Sequence, residues 1–421
     1  MNIRKLAMEA IEKIIYKGAY TNVVINEYLK KFEFTKEDKA FFTILVKGTV
    51  EKKITLSYYL EPFLKKKQNK LINVLLLMSI YQIVFMDVSD YASVNESVNI
   101  ANLLDKKVAG FVNAVLRNFL RNPLREIPED DELLYLSIKY SYPTWLIAYL
   151  LKDYNHDTVE KILKQNDESR KTSIRVNTLK STMEKVIDVL EKEKIEYEST
   201  DLVKNGLIIK KTIVDNALQE NGEIIIQDLS SQRVAEVCDP VPGSIVIDLC
   251  AAPGGKTAHM AALMNNTGTI YACDIYPKKI KKMKQNFKKW GIQNVKCEII
   301  DARRVTELVK NESFDYVLAD LPCSGLGVMG HKSDLKYNIT LDNIKEIIKL
   351  QREILESSYK LIKLNKYLIF STCTINKAEN EENVRWLLKE HPDLKIEYEQ
   401  TILPFEYDSD GFYVCKIRKC E

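Results

Sequence analysis

The sequence predicts a multidomain chain with an all-α front, a small α+β unit and a C-terminal open α/β domain. Three observations predict it. Residues 1–125 read as helix after helix at three-and-four apolar spacing. From Thr172 the texture changes to short strand-like runs around one helical stretch. From Ser244 onward, four apolar runs each close on a carboxylate: Ile245–Ile247 at Asp248, Thr269–Cys273 at Asp274, Val295–Ile300 at Asp301, and Phe314–Ala319 at Asp320. At 421 residues the chain is long enough for two or three domains. The expected boundaries are 1–127, 128–235 and 236–421.

In the front part, Ile3, Leu6, Ala7, Ala10, Ile11, Ile14 and Ile15 form one helical stripe, which Gly18 stops. Further helices are expected at 23–31, 36–51, 54–60, 69–88, 92–104 and 108–122, after which Pro123 and Pro128 punctuate the chain. The longest apolar stretch, Leu71 to Met86, is interrupted by Asn73, Ser79 and Gln82 and reads as a core helix, not a membrane span. Glu9 and Glu12 fall where a secretory signal would need apolar residues, so the expected location is the cytoplasm. Charge is unevenly spread, with 20 Lys+Arg against 12 Asp+Glu in residues 1–125 and a net acidic remainder. A basic front half suggests a polyanionic partner, although a lysine-rich protein can show it with no partner at all.

The second unit is expected to hold strands at 173–176, 195–198 and 206–210 and a helix at 182–193, and nothing in it signals catalysis. Gln227-Asp228-Leu229-Ser230-Ser231 then leads into a helix ahead of the α/β domain.

The organising stretch is Ser244 to Met260, SIVIDLCAAPGGKTAHM, which reads strand, turn, helix. Small residues from Cys250 to Gly255 let the backbone approach a ligand closely, and a helix start supplies unpaired N–H groups. Neither the dinucleotide glycine pattern nor the phosphate loop is present. In an open α/β sheet a ligand lies beyond the carboxyl ends of the strands, so the four aspartates line one crevice. They suit a cofactor with a ribose and a positive centre; the alternative is that they are turn and N-cap residues. Between the second and third strands, Pro277 to Trp290 carries seven lysines, either a solvated face or an RNA-facing one.

All eight cysteines lie between Cys238 and Cys420 without a C-x-x-C pair, and the four histidines are far apart. Neither a disulfide framework nor a metal site is expected. Two cysteines stand out. Cys323 follows the fourth strand in Asp320-Leu321-Pro322-Cys323-Ser324-Gly325, and Cys373 ends the next in Ser371-Thr372-Cys373-Thr374. Both fall on the rim that bears the aspartates. Thiols beside such a cofactor suit methylation at carbon 5 of a pyrimidine, a poor nucleophile unaided. A thiolate adding at carbon 6 pushes electron density onto carbon 5, and loss of the carbon-5 proton then frees the thiol. Spacing does not say which cysteine adds.

The run Leu249 to Thr257, the run Asp320 to Gly325 and Ser371-Thr372-Cys373 together resemble the RNA cytosine-5 methyltransferase family of the Sun/Nop2/RsmB type. The first helix, the Gly18-Ala19-Tyr20 turn and the run Asp38 to Gly48 resemble an RNA-binding domain of the NusB type. The resemblance implies a NusB-like helical domain, a helical linker with a small RRM-like α+β domain, and a Rossmann-like class I methyltransferase domain that uses S-adenosyl-L-methionine. It implies that Cys373 attacks the base and Cys323 assists release. It also implies that Cys250, Ala251, Ala252, Pro253, Gly254, Gly255 and Lys256 wrap the methionine and ribose. Asp274 would hold the ribose hydroxyls, Asp301 the adenine amino group, and Asp320 the methionine end or the cytosine edge, with Lys256 on the target base. The expected substrate is a cytosine of small-subunit (16S) ribosomal RNA, and the expected enzyme is a monomer with no metal and no membrane association. Two other readings stay open: cytosine-5 methylation of a transfer RNA or of DNA, and a noncatalytic RNA-binding assembly factor. One departure is visible. After Gly325 the family continues towards Arg-Arg-x-Pro-Asp, whereas this chain has Val328-Met329-Gly330-His331-Lys332-Ser333-Asp334, which puts RNA contacts by that loop in doubt.

Overall fold

The computed structural model describes residues 2–167, 171–210, 216–332 and 334–421. The chain divides into two compact units, Met1–Asp167 with His331–Asn338, and Glu168–Gly330 with Ile339–Glu421.

The first unit is helical: α1 (Ile3–Lys17), α2 (Thr21–Lys31), α3 (Lys36–Glu51), α4 (Lys53–Leu60), α5 (Lys70–Phe85), α6 (Asp90–Leu104), α7 (Lys106–Arg121), α8 (Glu132–Tyr140), α9 (Thr144–Leu150) and α10 (His156–Asp167). The first helix shows why. Asn2 accepts from the Lys5 N–H at its start, and Gly18 ends it at φ 68°, a left-handed conformation that costs glycine nothing. Leu6, Ala7, Ala10, Ile11 and Ile14 are buried, as the stripe predicts. Helix α5 lies inside the unit, with Val74 to Ile80 buried in succession. No helix among the described residues is long and apolar enough to cross a membrane. The segment His331–Asn338 comes from the far half of the chain yet belongs to this unit. Its Tyr337 packs on the helical core, its hydroxyl 2.9 Å from the Glu51 carbonyl and 3.0 Å from that of Ser141. In sequence this stretch departs from the family pattern of an RNA-contact loop; in the fold it serves packing, with Ser333 outside the described residues.

The second unit begins with a four-stranded antiparallel sheet: β1 (Thr172–Val176), β2 (Tyr197–Ser199), β3 (Gly206–Ile209) and β4 (Ile224–Ile226), ordered β2-β3-β1-β4. Helices α11 (Met183–Lys192) and α12 (Ala217–Glu220) interrupt it. Then come α13 (Leu229–Cys238), β5 (Ile245–Asp248), α14 (Gly255–Leu263), β6 (Thr269–Asp274), α15 (Pro277–Trp290), β7 (Val295–Ile299) and β8 (Phe314–Asp320). The short α16 (Leu335–Asn338) lies in the segment given to the helical unit, and α17 (Leu341–Leu361), β9 (Ile362–Thr372), α18 (Glu381–Glu390), β10 (Leu394–Ile402) and β11 (Phe412–Lys419) complete the chain. The larger sheet runs β10-β11-β9-β8-β5-β6-β7. Its five strands from β9 to β7 are parallel, β11 joins antiparallel to β9, and β10 joins antiparallel to β11. Chain order reverses between β5 and β8, so a crevice opens at their carboxyl ends. The terminal antiparallel pair β10–β11 extends the sheet beyond β9, and it brings Asp410 and Phe412 to that crevice.

Candidate active site

Two cavities meet at the carboxyl ends of the parallel strands, sharing Cys250, Ala252 and Asp320. The larger, about 580 Å³, is lined by Leu249, Asp274, Tyr276, Asp301, Arg303 and Pro322 among others. The smaller, about 310 Å³, is lined by Gln227, Asp228, Ser231, Lys256, Asp320 and Cys373 among others. Both volumes lie in the range of small-molecule sites.

The run after β5 is divided between them. Cys250 and Ala252 face both, while Ala251, Pro253, Gly255 and Lys256 line only the smaller cavity. Gly254 lines neither. It turns the chain at φ 100° into α14, and a Cβ there would strike the Phe287 ring, so its work is in the turn. Asp274, Asp301 and Asp320 line the larger cavity; Asp248 is buried and borders the smaller one.

Those carboxylates are already engaged. Asp274 accepts from the Tyr276 N–H at 3.0 Å and from Lys279 Nζ at 3.3 Å. Asp301 caps the 3-10 turn Ala302–Glu307 and is gripped by Arg303, with Nη2 to Oδ2 at 2.6 Å. That hydrogen bond, set against partial burial, holds the Asp301 carboxyl below its ordinary range. These two residues are thus turn and cap residues that also line the larger cavity. Asp248 accepts from Thr257 Oγ1 at 2.6 Å, and burial pushes its pKa up to about 7.

The residues fit an adenosyl sulfonium cofactor. A long cavity runs along acceptors that match ribose hydroxyls and an amino group, and acidic side chains sit where a positive centre would be balanced. Asp320 joins the two cavities. Its Oδ2 accepts from Lys256 Nζ at 2.8 Å and its Oδ1 from Ser371 Oγ at 2.8 Å. Burial works against the Lys256 charge, yet Asp320 and its neighbours outweigh it and hold that pKa above the usual lysine value. The ammonium also stands 5.0 Å from the centre of the Phe412 ring.

The two cysteines come together although 50 residues separate them. Cys323 Sγ and Cys373 Sγ are 3.3 Å apart and unbonded, both free thiols. Cys373 lines the smaller cavity with Lys256, whereas Cys323 borders neither. The hydrogen bond to Cys373, together with burial, pushes the Cys323 thiol well up.

A carboxylate without any sequence signal fixes this pair. Glu379 is fully buried just ahead of α18. Its Oε2 accepts from the Ser324 N–H at 2.7 Å, on the Cys323 loop, and its Oε1 from Asn376 Nδ2 at 2.7 Å, on the Cys373 loop. Gln351 of α17 adds a bond to the Pro322 carbonyl at 2.9 Å, and the Ser324 and Thr374 hydroxyls meet at 2.8 Å. Burial raises the Glu379 pKa. The Gly327 N–H also donates to the Cys373 carbonyl at 3.2 Å, and Gly411 N–H to Gly327 O at 2.9 Å. A Cβ on Gly327 would collide with Gly411, so only glycine permits that approach.

The small α+β domain, whose sequence carries no catalytic signal, contributes too. Gln227 just after β4 lines the smaller cavity, and the buried Arg175 on β1 bonds it. Asp228 caps α13, and its oxygens hold the Ser409 hydroxyl at 2.8 Å and the Asp410 N–H at 3.2 Å. The Gln227-Asp228-Leu229-Ser230-Ser231 run is visible in the sequence, but its role depends on a loop that begins 181 residues away. Among the described residues, no cluster of His, Cys, Asp and Glu could hold a metal ion.

Comparison with known proteins places these features together. Residues 235–418 match the family model described as 16S rRNA methyltransferase RsmB/F, residues 1–121 match the NusB family, and residues 142–215 match the ferredoxin-like domain of RsmF/B-like methyltransferases. The chain is 34% identical to the probable ribosomal RNA small subunit methyltransferase B of Bacillus subtilis, with 99% of each chain covered. It is 29% identical to ribosomal RNA small subunit methyltransferase B of Proteus mirabilis, again over 99% of each. Among solved structures it is similar to that of PH0851, at a TM-score of 0.83 and 29% identity, covering 100% of this chain and 99% of that one. A methyltransferase homolog from Pyrococcus horikoshii superposes at a TM-score of 0.62 and 27% identity, covering 69% and 99%.

Proposed function

The chain belongs to the RsmB/F family of 16S rRNA methyltransferases, which use S-adenosylmethionine, and we propose that it methylates carbon 5 of a cytosine through a covalent adduct on Cys373. One observation carries the proposal: two free thiols 3.3 Å apart, one of which opens on a cavity beside a lysine and an aspartate.

When bound, the cofactor supplies an electrophilic methyl group. The protein does the rest. Cys250 and Ala252 together with Asp274, Asp301 and Asp320 hold the cofactor along the larger cavity, and the flipped base enters the smaller one, where Ala251, Pro253, Gly255 and Lys256 form the wall. Cys373 Sγ, as thiolate, bonds to carbon 6 of the ring, and the displaced electron pair makes carbon 5 nucleophilic. Lys256, kept charged by Asp320, stabilises negative charge that develops on the ring. After transfer, Cys323 assists release: as thiolate it takes the carbon-5 proton, the electron pair of that C–H bond re-forms the carbon 5–carbon 6 double bond, and the bond from carbon 6 to sulfur breaks to return Cys373 as thiolate. The proposed arrangement is a metal-free monomer acting in the cytoplasm, divided at 127/128 and 235/236.

The test uses unmodified 16S rRNA transcript and methyl-labelled cofactor, with nucleosides resolved by mass spectrometry. Label in 5-methylcytosine, lost in Cys373→Ala while cofactor binding persists, is the expected result. Label in another nucleoside, or undiminished transfer by Cys373→Ala, overturns it. An RNA that stays unlabelled with the parent protein would instead favour a noncatalytic binder.

A further inference from the structure

Thiol addition does not tell cytosine from uracil, because carbon 6 is electrophilic in both rings. Selectivity has to come from the hydrogen-bond pattern of the cavity wall. Cytosine offers an acceptor at N3 where uracil offers an N–H donor, so a fixed donor facing N3 accepts one base and repels the other.

The smaller cavity contains such a donor, and its orientation is forced. Arg175 is almost completely buried, and among the described residues it has no ion pair. Its Nε donates to Gln227 Oε1 at 2.8 Å, and its Nη2 lies 3.5 Å from the Gly255 carbonyl. A guanidinium has no acceptor, so the atom of Gln227 that meets it must be the carbonyl oxygen. The amide nitrogen consequently faces the other way, 3.4 Å from Ser231 Oγ, on the cavity side. The backbone is pinned as well, since Gln227 N–H donates to Ser173 O at 3.2 Å and Gln232 Nε2 donates to Gln227 O at 2.8 Å. Burial lowers the Arg175 pKa only to about 9, so the guanidinium keeps its charge and its hold at neutral pH. Asp228, the neighbouring acid on this wall, spends its oxygens on Ser230, Ser409 and Asp410.

We infer that Gln227, with its amide locked by the buried Arg175, reads N3 of the target ring and sets the preference for cytosine over uracil. Arg175 is a positioning residue that acts through Gln227. This rests on the cytosine-5 reading above.

The deciding variant is Gln227→Glu. A carboxylate keeps the Arg175 contact and the shape, but presents an acceptor to the cavity in place of a donor. The substrates are 16S rRNA transcripts with cytosine or uracil at the mapped position, compared by single-turnover transfer. The cytosine-to-uracil rate ratio should fall about 10-fold or more in Gln227→Glu, since a donor–acceptor match on cytosine becomes one on uracil. Gln227→Ala, which needs no new ion pair, should fall between that variant and the parent. Arg175→Lys should retain more of the parental ratio than Arg175→Met, with cofactor affinity unchanged in both. A parental ratio in both Gln227 variants overturns the inference. Weakened cofactor binding with an unchanged ratio also overturns it, by giving Gln227 to the cofactor. If the parent enzyme methylates no cytosine at carbon 5, the underlying reading fails and this inference with it.

Discussion

Cys373 and Cys323 are the same residue type at the ends of adjacent parallel strands, yet their surroundings differ. Cys373 opens on the smaller cavity opposite Lys256, whereas Cys323 sits behind it on a loop tied down by Glu379 and Gln351. The difference shows that role is set by what each sulfur faces. Both sulfurs are half-buried, and only Cys373 lines the cavity that a ring could enter; Cys323 stands 3.3 Å from it, within reach of a group that Cys373 holds.

Removing the Cys323 sulfur is the strongest way to sharpen this contrast. In Cys323→Ala turnover should fall by about 10²-fold or more, while an RNA–protein adduct that survives denaturing electrophoresis accumulates. Free turnover without adduct would erase the distinction between the two thiols. Next comes Asp320, which both cavities share. Asp320→Asn removes the charge that sustains the Lys256 ammonium, and single-turnover transfer should drop about 10²-fold with cofactor affinity much less affected. A loss confined to cofactor affinity would move Asp320 wholly to the cofactor side.

Glu379 tests whether the pair must be held in register. Glu379→Gln keeps an acceptor for one loop but presents a donor to the other, so transfer should slow by about 10-fold while cofactor affinity stays parental. The smallest effect concerns stability. The Asp248 pKa is raised by burial from its ordinary value to about 7, so the folded state prefers the protonated form. Its contribution is complete below about pH 4 and is lost as pH climbs through 7. In Asp248→Asn the melting temperature should fall less steeply across that window. An unchanged slope would show that other groups govern it.

The larger cavity was largely legible from residue order. Asp274, Asp301 and Asp320 each close an apolar run, and strands of a parallel sheet deliver their ends to one rim. Parts of the smaller cavity's surroundings were not. Gln227 lies in an ordinary turn and Glu379 just before a helix, and neither carries a local catalytic signature. The stretch 328–334 shows the same limit, since its residues through Gly330 belong to the second unit and those from His331 onward to the helical unit, a division that residue order does not signal.

By itself the sequence determined the helical front, the small α+β unit, the parallel strands and the two cysteines at strand ends. These come from periodicity, turn chemistry and the geometry of open sheets, which are short-range properties. Only the tertiary structure decided which thiol faces the cavity, which carboxylate holds both thiol loops, and which way the Gln227 amide points. Each of those depends on a hydrogen bond between residues tens to hundreds of positions apart, and such a bond exists only once the sheet has brought donor and acceptor within bonding reach.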